Sequence, residues 1–138
     1  MKKIFVSYRG MDRSLVRQIE RELKENGFYF DFVDDIDEGD LRNKPDELQK
    51  TLRDRLLRQC SGLLLLIGKN THSPSNWLKY ELKYAESNQW PVAGLNLPNR
   101  TGSAPKEITN YKHYHECKYE YKNSNLRQII SFLNKTLS

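Results

Sequence analysis

Five consecutive apolar residues, Leu63 to Ile67 (LLLLI), constrain the fold of this chain more than any other feature. A strand with one face in water alternates apolar and polar residues, whereas a parallel strand that is covered on both faces reads as a continuous apolar run. The length of the run fits a single strand. The run therefore predicts the central strand of a parallel sheet with helices on both sides, which is an α/β fold.

The segments around this run alternate between strand and helix patterns. Strands are predicted where β-branched and aromatic residues cluster, at Lys3–Tyr8, Phe28–Val33, Leu63–Ile67, Pro91–Leu97 and within Tyr111–Tyr121. Helices are predicted at Asp12–Asn26, from Pro45 onwards, at Trp77–Gln89 and at Leu126–Leu137. Such alternation implies right-handed crossovers between parallel strands. We therefore predict one domain, residues 1–138, with a flavodoxin-like doubly wound fold: a five-stranded, mainly parallel sheet flanked by helices.

Apolar residues at helical spacing predict the face with which each helix packs on the sheet. In the first helix this stripe consists of Leu15, Val16, Ile19 and Leu23. In the second and third helices the predicted inward residues are Leu48, Leu52, Leu56, Leu78, Leu82 and Ala85. Asn26-Gly27 is expected to end the first helix, because glycine accepts the left-handed conformation of a helix cap.

Composition argues against a membrane or secreted protein. No apolar run approaches the ~20 residues that span a bilayer. Ser7, Tyr8 and Arg9 interrupt the first apolar stretch, so no signal peptide is expected. Two cysteines, Cys60 and Cys117, are too few for a disulfide framework, which favours a reduced, cytoplasmic setting.

The formal net charge of +5 raises the question of nucleic-acid binding. The densest basic stretch, Lys50 to Arg58, includes Arg53 and Arg55 but also Asp54, and the aromatic residues lie elsewhere. We therefore predict a solvated helix face and no nucleic-acid partner. A ligand that carries phosphates would suit the same positive balance.

In a doubly wound sheet, ligands bind at the carboxyl ends of the strands, near the point where the strand order reverses. That edge carries Tyr8–Asp12, Asp34–Asn43, Lys69–Trp77 and the loop after Leu97. The residues there provide neither the acid set of a phosphoreceiver nor the phosphate loop of a flavodoxin. The chain also lacks the GxGxxG, Walker, HExxH and GxSxG motifs.

Two segments at this edge stand out together. Lys3–Asp12 reads KIFVSYRGMD, and Asn76–Leu82 reads NWLKYEL, with Trp77 four residues before Glu81. The first segment resembles the opening box of TIR (Toll/interleukin-1 receptor) domains, and the second resembles their Trp-x-x-x-Glu helix motif. The stretch from Leu63 to Asn96 looks most like the bacterial TIR-like proteins of the Thoeris anti-phage system, the ThsB-like group.

In TIR domains that cleave NAD the glutamate of this motif is catalytic, so the resemblance implies that role for Glu81. Breaking the nicotinamide–ribose bond builds positive charge on the ribose, and a carboxylate placed against the ribose hydroxyls stabilises that charge. Trp77 shares a helix face with Glu81 and could form an aromatic wall for the nicotinamide or the ribose. From spacing alone, Glu81 could also be a surface glutamate beside a half-buried tryptophan.

Further candidates for substrate binding lie at the same edge: Ser7, Tyr8, Arg9, Asp12 and Asp34. The first helix begins near Asp12, and a helix N-terminus favours phosphate. Arg9 could add a bidentate phosphate contact. Alternatively, Arg9 pairs with Asp12 or Asp34, and Asp12 caps the helix.

A metal site is not predicted, although His113, His115 and Cys117 alternate along the expected fifth strand and are of metal-ligand type. Residues i and i+4 of a strand lie ~13 Å apart, so one strand rarely supplies three ligands to one ion. Cys60 precedes an apolar strand and is predicted to be a core residue.

The resemblance implies two functions of different classes. The first hypothesis is an enzyme that takes NAD as its substrate, needs no cofactor, and releases nicotinamide. Its product would be ADP-ribose or a cyclic ADP-ribose signal that activates a separately encoded effector. The alternative is a non-enzymatic adaptor that acts through homotypic assembly. Self-association is expected in either case. The segment Asp34–Asn43 occupies the position of the TIR loop that mediates assembly and gates the site, but it departs from the family by having Glu38-Gly39-Asp40 in place of the frequent Pro-Gly.

Overall fold

Strands and helices alternate along the computed structural model, which describes residues 2–8, 13–33, 44–98 and 102–138. The strands are β1 (Lys3–Ser7), β2 (Asp31–Val33), β3 (Gly62–Ile67), β4 (Val92–Asn96) and β5 (Tyr114–Glu120). The helices are α1 (Arg13–Glu25), α2 (Asp46–Leu57), α3 (Asn76–Ser87), the single turn α4 (Lys106–Thr109) and α5 (Leu126–Leu137), with a 3₁₀ turn (Asn123–Asn125) before α5. In this part of the chain no helix is both long and apolar enough to cross a membrane.

The five strands form one parallel sheet in the order β2-β1-β3-β4-β5. This is the flavodoxin-like doubly wound arrangement, and the α/β prediction is confirmed. From β1 the chain crosses to β2 on one side, and from β3 it crosses to β4 on the other, so the order reverses between β1 and β3. Ser7, the last residue of β1, pairs with Leu65 of β3 at this point.

The sheet separates two apolar clusters, and the central strand β3 contributes to both. Leu64 and Leu66 belong to the cluster beneath α1 and α5, which we call the α1–α5 face. Leu63, Leu65 and Ile67 belong to the cluster beneath α2, α3 and α4, which we call the α2–α3 face. All five side chains are fully buried. Because helices cover both sides of β3, its sequence has no polar positions.

The predicted second strand is longer than the observed one. Only Asp31–Val33 pairs with β1, whereas Phe28 and Phe30 are buried in the α1–α5 face without joining the ladder. The ring of Phe28 stacks on that of Phe32, with 4.8 Å between their centroids. Phe28 and Phe30, which indicated a strand, therefore contribute to core packing and not to strand pairing.

The end of α1 was predicted correctly, whereas one short helix was missed. Gly27 follows α1 with a φ of +104°, a conformation that side chains other than glycine rarely adopt, so the predicted end of α1 is confirmed. The short helix α4 was not predicted, because four residues are too few to show helical periodicity.

Candidate active site

The candidate site lies at the carboxyl end of β1, where the strand order reverses. Ser7 is almost fully buried, and its side chain is on the α2–α3 face of the sheet. Its Oγ donates a hydrogen bond of 2.8 Å to Oε1 of Glu81 on α3. Two residues that the sequence places 74 positions apart therefore meet at the predicted ligand-binding edge.

Glu81 reaches this position because of how α3 packs. The helix begins after Ser75, whose Oγ caps it by accepting a hydrogen bond from the backbone N–H of Leu78 at 3.2 Å. The predicted inward stripe is confirmed, since Leu78, Leu82 and Ala85 are all buried. Glu81 adjoins that stripe and is itself only 8% exposed. The alternative of a surface glutamate is therefore wrong.

The helix α2 supplies the second partner of Glu81 from a buried face that was predicted only in part. The predicted inward leucines were Leu48, Leu52 and Leu56. The residues that α2 buries are instead Gln49, Arg53 and Leu57, one position further along. Leu48 is 41% exposed. Leu52 is half-buried, and Leu56 packs partly buried against the cluster of the α2–α3 face. The centre of the buried face therefore lies about one residue, ~100°, from the predicted stripe.

In this orientation of α2, Arg53 contacts Glu81. The Arg53 Nε donates to Glu81 Oε2 at 3.2 Å, and the two side chains are only 3% and 11% exposed. Two buried charges are tolerated because each remains ionised beside a partner of opposite charge; either one alone in this position would be strongly destabilising. The predicted solvated basic face is therefore wrong for Arg53, which is 2% exposed.

Arg53 is held from two further directions. Its Nη1 donates to Gln49 Oε1 at 3.4 Å, and Gln49 Nε2 in turn donates to the carbonyl of Lys44 at 3.1 Å. The guanidinium carbon lies 4.3 Å from the centroid of the Trp77 ring, a cation–π arrangement. Ser7, Glu81, Arg53, Gln49 and Trp77 thus form one connected group, which we call the Glu81 network.

Trp77 shares the α3 face with Glu81, as predicted, but its contacts with Arg53 and Tyr80 were not predicted. The half-buried indole covers the Arg53 guanidinium and contacts the edge of Tyr80, with 5.7 Å between the ring centroids at an angle of 83°. It shields the buried ion pair from water on that side. Its role as a wall for the nicotinamide or ribose remains a prediction.

A second polar group lies beside Trp77, nearer to solvent. The Tyr80 hydroxyl donates to Asp54 Oδ1, and Lys50 Nζ donates to Asp54 Oδ2 at 2.9 Å. Burial favours the neutral form of Asp54, but the hydrogen bonds from Tyr80 and Lys50 outweigh it and hold the pKa of this carboxyl below its usual value. Burial and the bond to Asp54 raise the pKa of Tyr80. These groups are therefore locked as an ionised carboxylate and a neutral phenol.

Of the other predicted binding residues, the structure describes Tyr8. Tyr8 is half-buried and packs against the cluster of the opposite, α1–α5 face. Arg9, Asp12 and Asp34 lie outside the described residues, as does the predicted assembly segment Asp34–Asn43. Their proposed contacts with substrate remain predictions.

The histidine and cysteine residues of the fifth strand are dispersed. Cys117 is buried in the α1–α5 face, whereas His115 is exposed. Across residues 2–8, 13–33, 44–98 and 102–138, no group of three or more His, Cys, Asp or Glu side chains could hold a metal ion.

A groove of about 710 Å³ runs between β5 and α5, past Cys117 and Phe132, and is separate from the Glu81 network. Cys60 packs partly buried against the cluster of the α2–α3 face, consistent with a core position.

Comparison with known proteins bears on both the fold and the site. Residues 5–102 match the family model described as "Thoeris protein ThsB, TIR-like domain", a range that includes all five residues of the Glu81 network. No curated protein matches the sequence. Among solved structures, a conserved protein from Enterococcus faecalis V583 superposes with a TM-score of 0.54 at 13% identity, over 96% of this chain and 87% of that one. That likeness concerns the fold alone.

Proposed function

This chain belongs to the TIR-like domain family of the Thoeris protein ThsB, and from that membership we propose that it is an enzyme that cleaves NAD. The proposed reaction breaks the bond between nicotinamide and ribose, with Glu81 as the catalytic carboxylate. One observation supports this above all others. The glutamate of the family's Trp-x-x-x-Glu motif is buried at the reversal point of the sheet, with a donor on each carboxylate oxygen.

The chemistry follows from the charge that develops as the bond breaks. The bonding electron pair moves to the ring nitrogen of nicotinamide, which leaves as a neutral molecule. The ribose carbon that loses it becomes cationic, with the charge shared by the ring oxygen. The fixed negative charge of Glu81, which water reaches poorly, stabilises that cation more strongly than an exposed carboxylate could. Trp77 limits the access of water on one side.

The cationic ribose must then be captured by a nucleophile. Capture by water forms a bond from the water oxygen to the ribose carbon, releases a proton and yields ADP-ribose. Capture by an atom of the adenine or of the second ribose yields a cyclic isomer, and the attacking group itself releases one proton. The internal reaction benefits from a high effective concentration of the nucleophile, and a site that excludes water favours it.

We further propose that the product is a cyclic ADP-ribose signal, made during phage infection, that activates a separately encoded effector. The described chain has one sheet with one candidate site, so a diffusible nucleotide would transmit the response without a stable complex. The proposed partners are NAD, further copies of this chain, and that effector through the nucleotide. The proposed setting is the cytoplasm, without nucleic acid, membrane or metal.

The test is to incubate the purified protein with NAD and to follow free nicotinamide and the ribosyl products by mass spectrometry. We expect nicotinamide release together with a product of cyclic ADP-ribose mass. If the protein forms only linear ADP-ribose and its filtrate never activates a candidate effector, it is an enzyme that depletes NAD and produces no signal. A folded, self-associating protein that releases no nicotinamide would contradict the proposal and favour the adaptor.

A further inference from the structure

The carboxylate of Glu81 is held at both of its oxygens by residues from two other elements. Ser7, at the end of β1, donates to Oε1, and Arg53, on α2, donates to Oε2. The last torsion of a glutamate side chain is normally broad, because rotation about a bond to a planar carboxylate meets little resistance. Two donors on different oxygens restrict that rotation. The plane of the carboxylate is therefore set by β1 and α2 together.

Arg53 is suited to this task because it is itself fixed. Gln49, one turn earlier on α2, accepts from Nη1 and is anchored to the carbonyl of Lys44. The indole of Trp77 covers the guanidinium at 4.3 Å. The side chain is only 3% exposed. A guanidinium with this many contacts is a rigid part of the site.

A direct contact between Arg53 and a substrate phosphate is less consistent with this geometry. An arginine that binds phosphate normally presents its planar fork to the ligand. Here the Nε is turned toward Glu81, one face is covered by Trp77, and almost no surface remains accessible. The influence of Arg53 on a bound substrate would therefore pass through the carboxylate that it holds.

We infer that Arg53 is a positioning residue for the reaction proposed above, on which this inference rests: it fixes the orientation of the Glu81 carboxylate toward the ribose. An incorrectly oriented carboxylate still permits substrate binding but stabilises the developing cation less well. The effect of losing Arg53 should therefore appear in kcat and not in KM. It should also disappear when the carboxylate is absent, because a positioning residue has nothing left to position.

A double-mutant cycle tests this. Four purified proteins are compared for nicotinamide release from NAD: wild type, Arg53→Gln, Glu81→Gln and the double variant. We expect Arg53→Gln to lower kcat by about 10- to 100-fold, the range for a misplaced catalytic group, with KM changed by no more than about twofold. In the Glu81→Gln background the same substitution should change kcat by no more than about twofold. Arg55→Gln, an exposed arginine on the same helix, is the matched control and should behave as wild type.

The outcomes separate the inference from the proposed function. Equal fold-losses from Arg53→Gln in both backgrounds would show that Arg53 acts independently of Glu81, and the inference would fail while NAD cleavage stood. Wild-type turnover by Arg53→Gln would have the same consequence. A wild-type protein without any nicotinamide release would overturn the proposed function, and this inference with it. If Arg53→Gln does not fold, Arg53→Lys keeps the charge without the planar fork, and it is assayed in both backgrounds against the same criteria.

Discussion

The helices α1 and α2 occupy equivalent layers on opposite sides of the sheet, yet they bury different kinds of residue. On α1 the buried stripe is Val16, Ile19 and Leu23, which join the apolar cluster of the α1–α5 face. Glu20 is buried beside them and pairs with Arg17 of the same helix, 3.4 Å away. An intrahelical pair of this kind adds a few tenths of a kcal/mol, about 0.2–0.5, so α1 is held by its apolar stripe.

The buried stripe of α2 is mainly polar. Leu57 is its one buried apolar residue, and Gln49 and Arg53 fill the other two positions. The ion pair between Arg53 and Glu81 joins two helices and is shielded from water at both ends. A buried pair of this kind adds little net stability, and an apolar pair of similar volume is often equally stable or more so. The difference between the two helices indicates that the buried polar residues of α2 serve a purpose other than stability.

The strongest way to test this contrast is to neutralise one buried glutamate on each face. Glu81 and Glu20 are each 8% exposed, so Glu81→Gln and Glu20→Gln remove the same charge at the same burial. We expect Glu81→Gln to lower nicotinamide release per folded molecule by about 100- to 1000-fold, as for the loss of a principal transition-state stabiliser. Glu20→Gln should retain wild-type turnover. Nicotinamide release, with the folded fraction taken from circular dichroism, checks both; similar turnover by the two variants would remove Glu81 from the chemistry.

The next test replaces the polar groups of the α2–α3 face with apolar ones. The triple variant Ser7→Ala, Arg53→Met and Glu81→Leu removes both charges and the hydroxyl together, so that none of the three is left without its partners. We expect it to be as stable as wild type or more stable, by up to about 1–4 kcal/mol, and to have no turnover. Urea unfolding measures the change. A loss of several kcal/mol would show that the Glu81 network is needed for the fold, and the contrast with α1 would disappear.

A smaller effect is expected from the two tryptophans, which are both half-buried on the α2–α3 face. Trp77 covers Arg53, whereas Trp90 lies before β4 at the other edge of the sheet, against Tyr84. Trp77→Ala should lower turnover per folded molecule by about tenfold, since a cation–π contact contributes ~1–2 kcal/mol when shielded. Trp90→Ala should lower the melting temperature but not the turnover. A large melting shift with normal activity for Trp77→Ala would place that residue in the core alone.

The smallest effect concerns the thiol of Cys60, on the same face. Burial raises the pKa of Cys60 from the usual 9.0 of a thiol to about 12. The folded state therefore holds the proton more tightly than the unfolded state. The resulting stabilisation is fully present below pH 9 and is lost as the pH rises through about 12. Cys60→Ala should therefore lose less stability than wild type over that interval, as measured by urea unfolding at several pH values; identical pH dependence would contradict the assignment.

Much of the fold could be predicted because it depends on patterns that are continuous along the chain. The run from Leu63 to Ile67 required cover on both faces, and the alternation of strands with helices left few arrangements that could provide it. The inward stripes of α1 and α3 were correct because apolar residues dominate them. The second strand was predicted too long because Phe28 and Phe30 pack as core residues without pairing.

The sequence by itself determined the sheet, its strand order and the presence of Trp77 and Glu81 on one helix face. Only the tertiary structure decided that Glu81 is buried and which residues hold it. Apolar periodicity predicted only the edge of the buried face of α2, because it assumes that leucines face inward and arginines outward. That assumption fails where a charge finds its partner on another element, and Arg53 and Glu81 are 28 residues apart. No pattern within α2 could reveal that partner, since it exists only once β1, α2 and α3 have packed together.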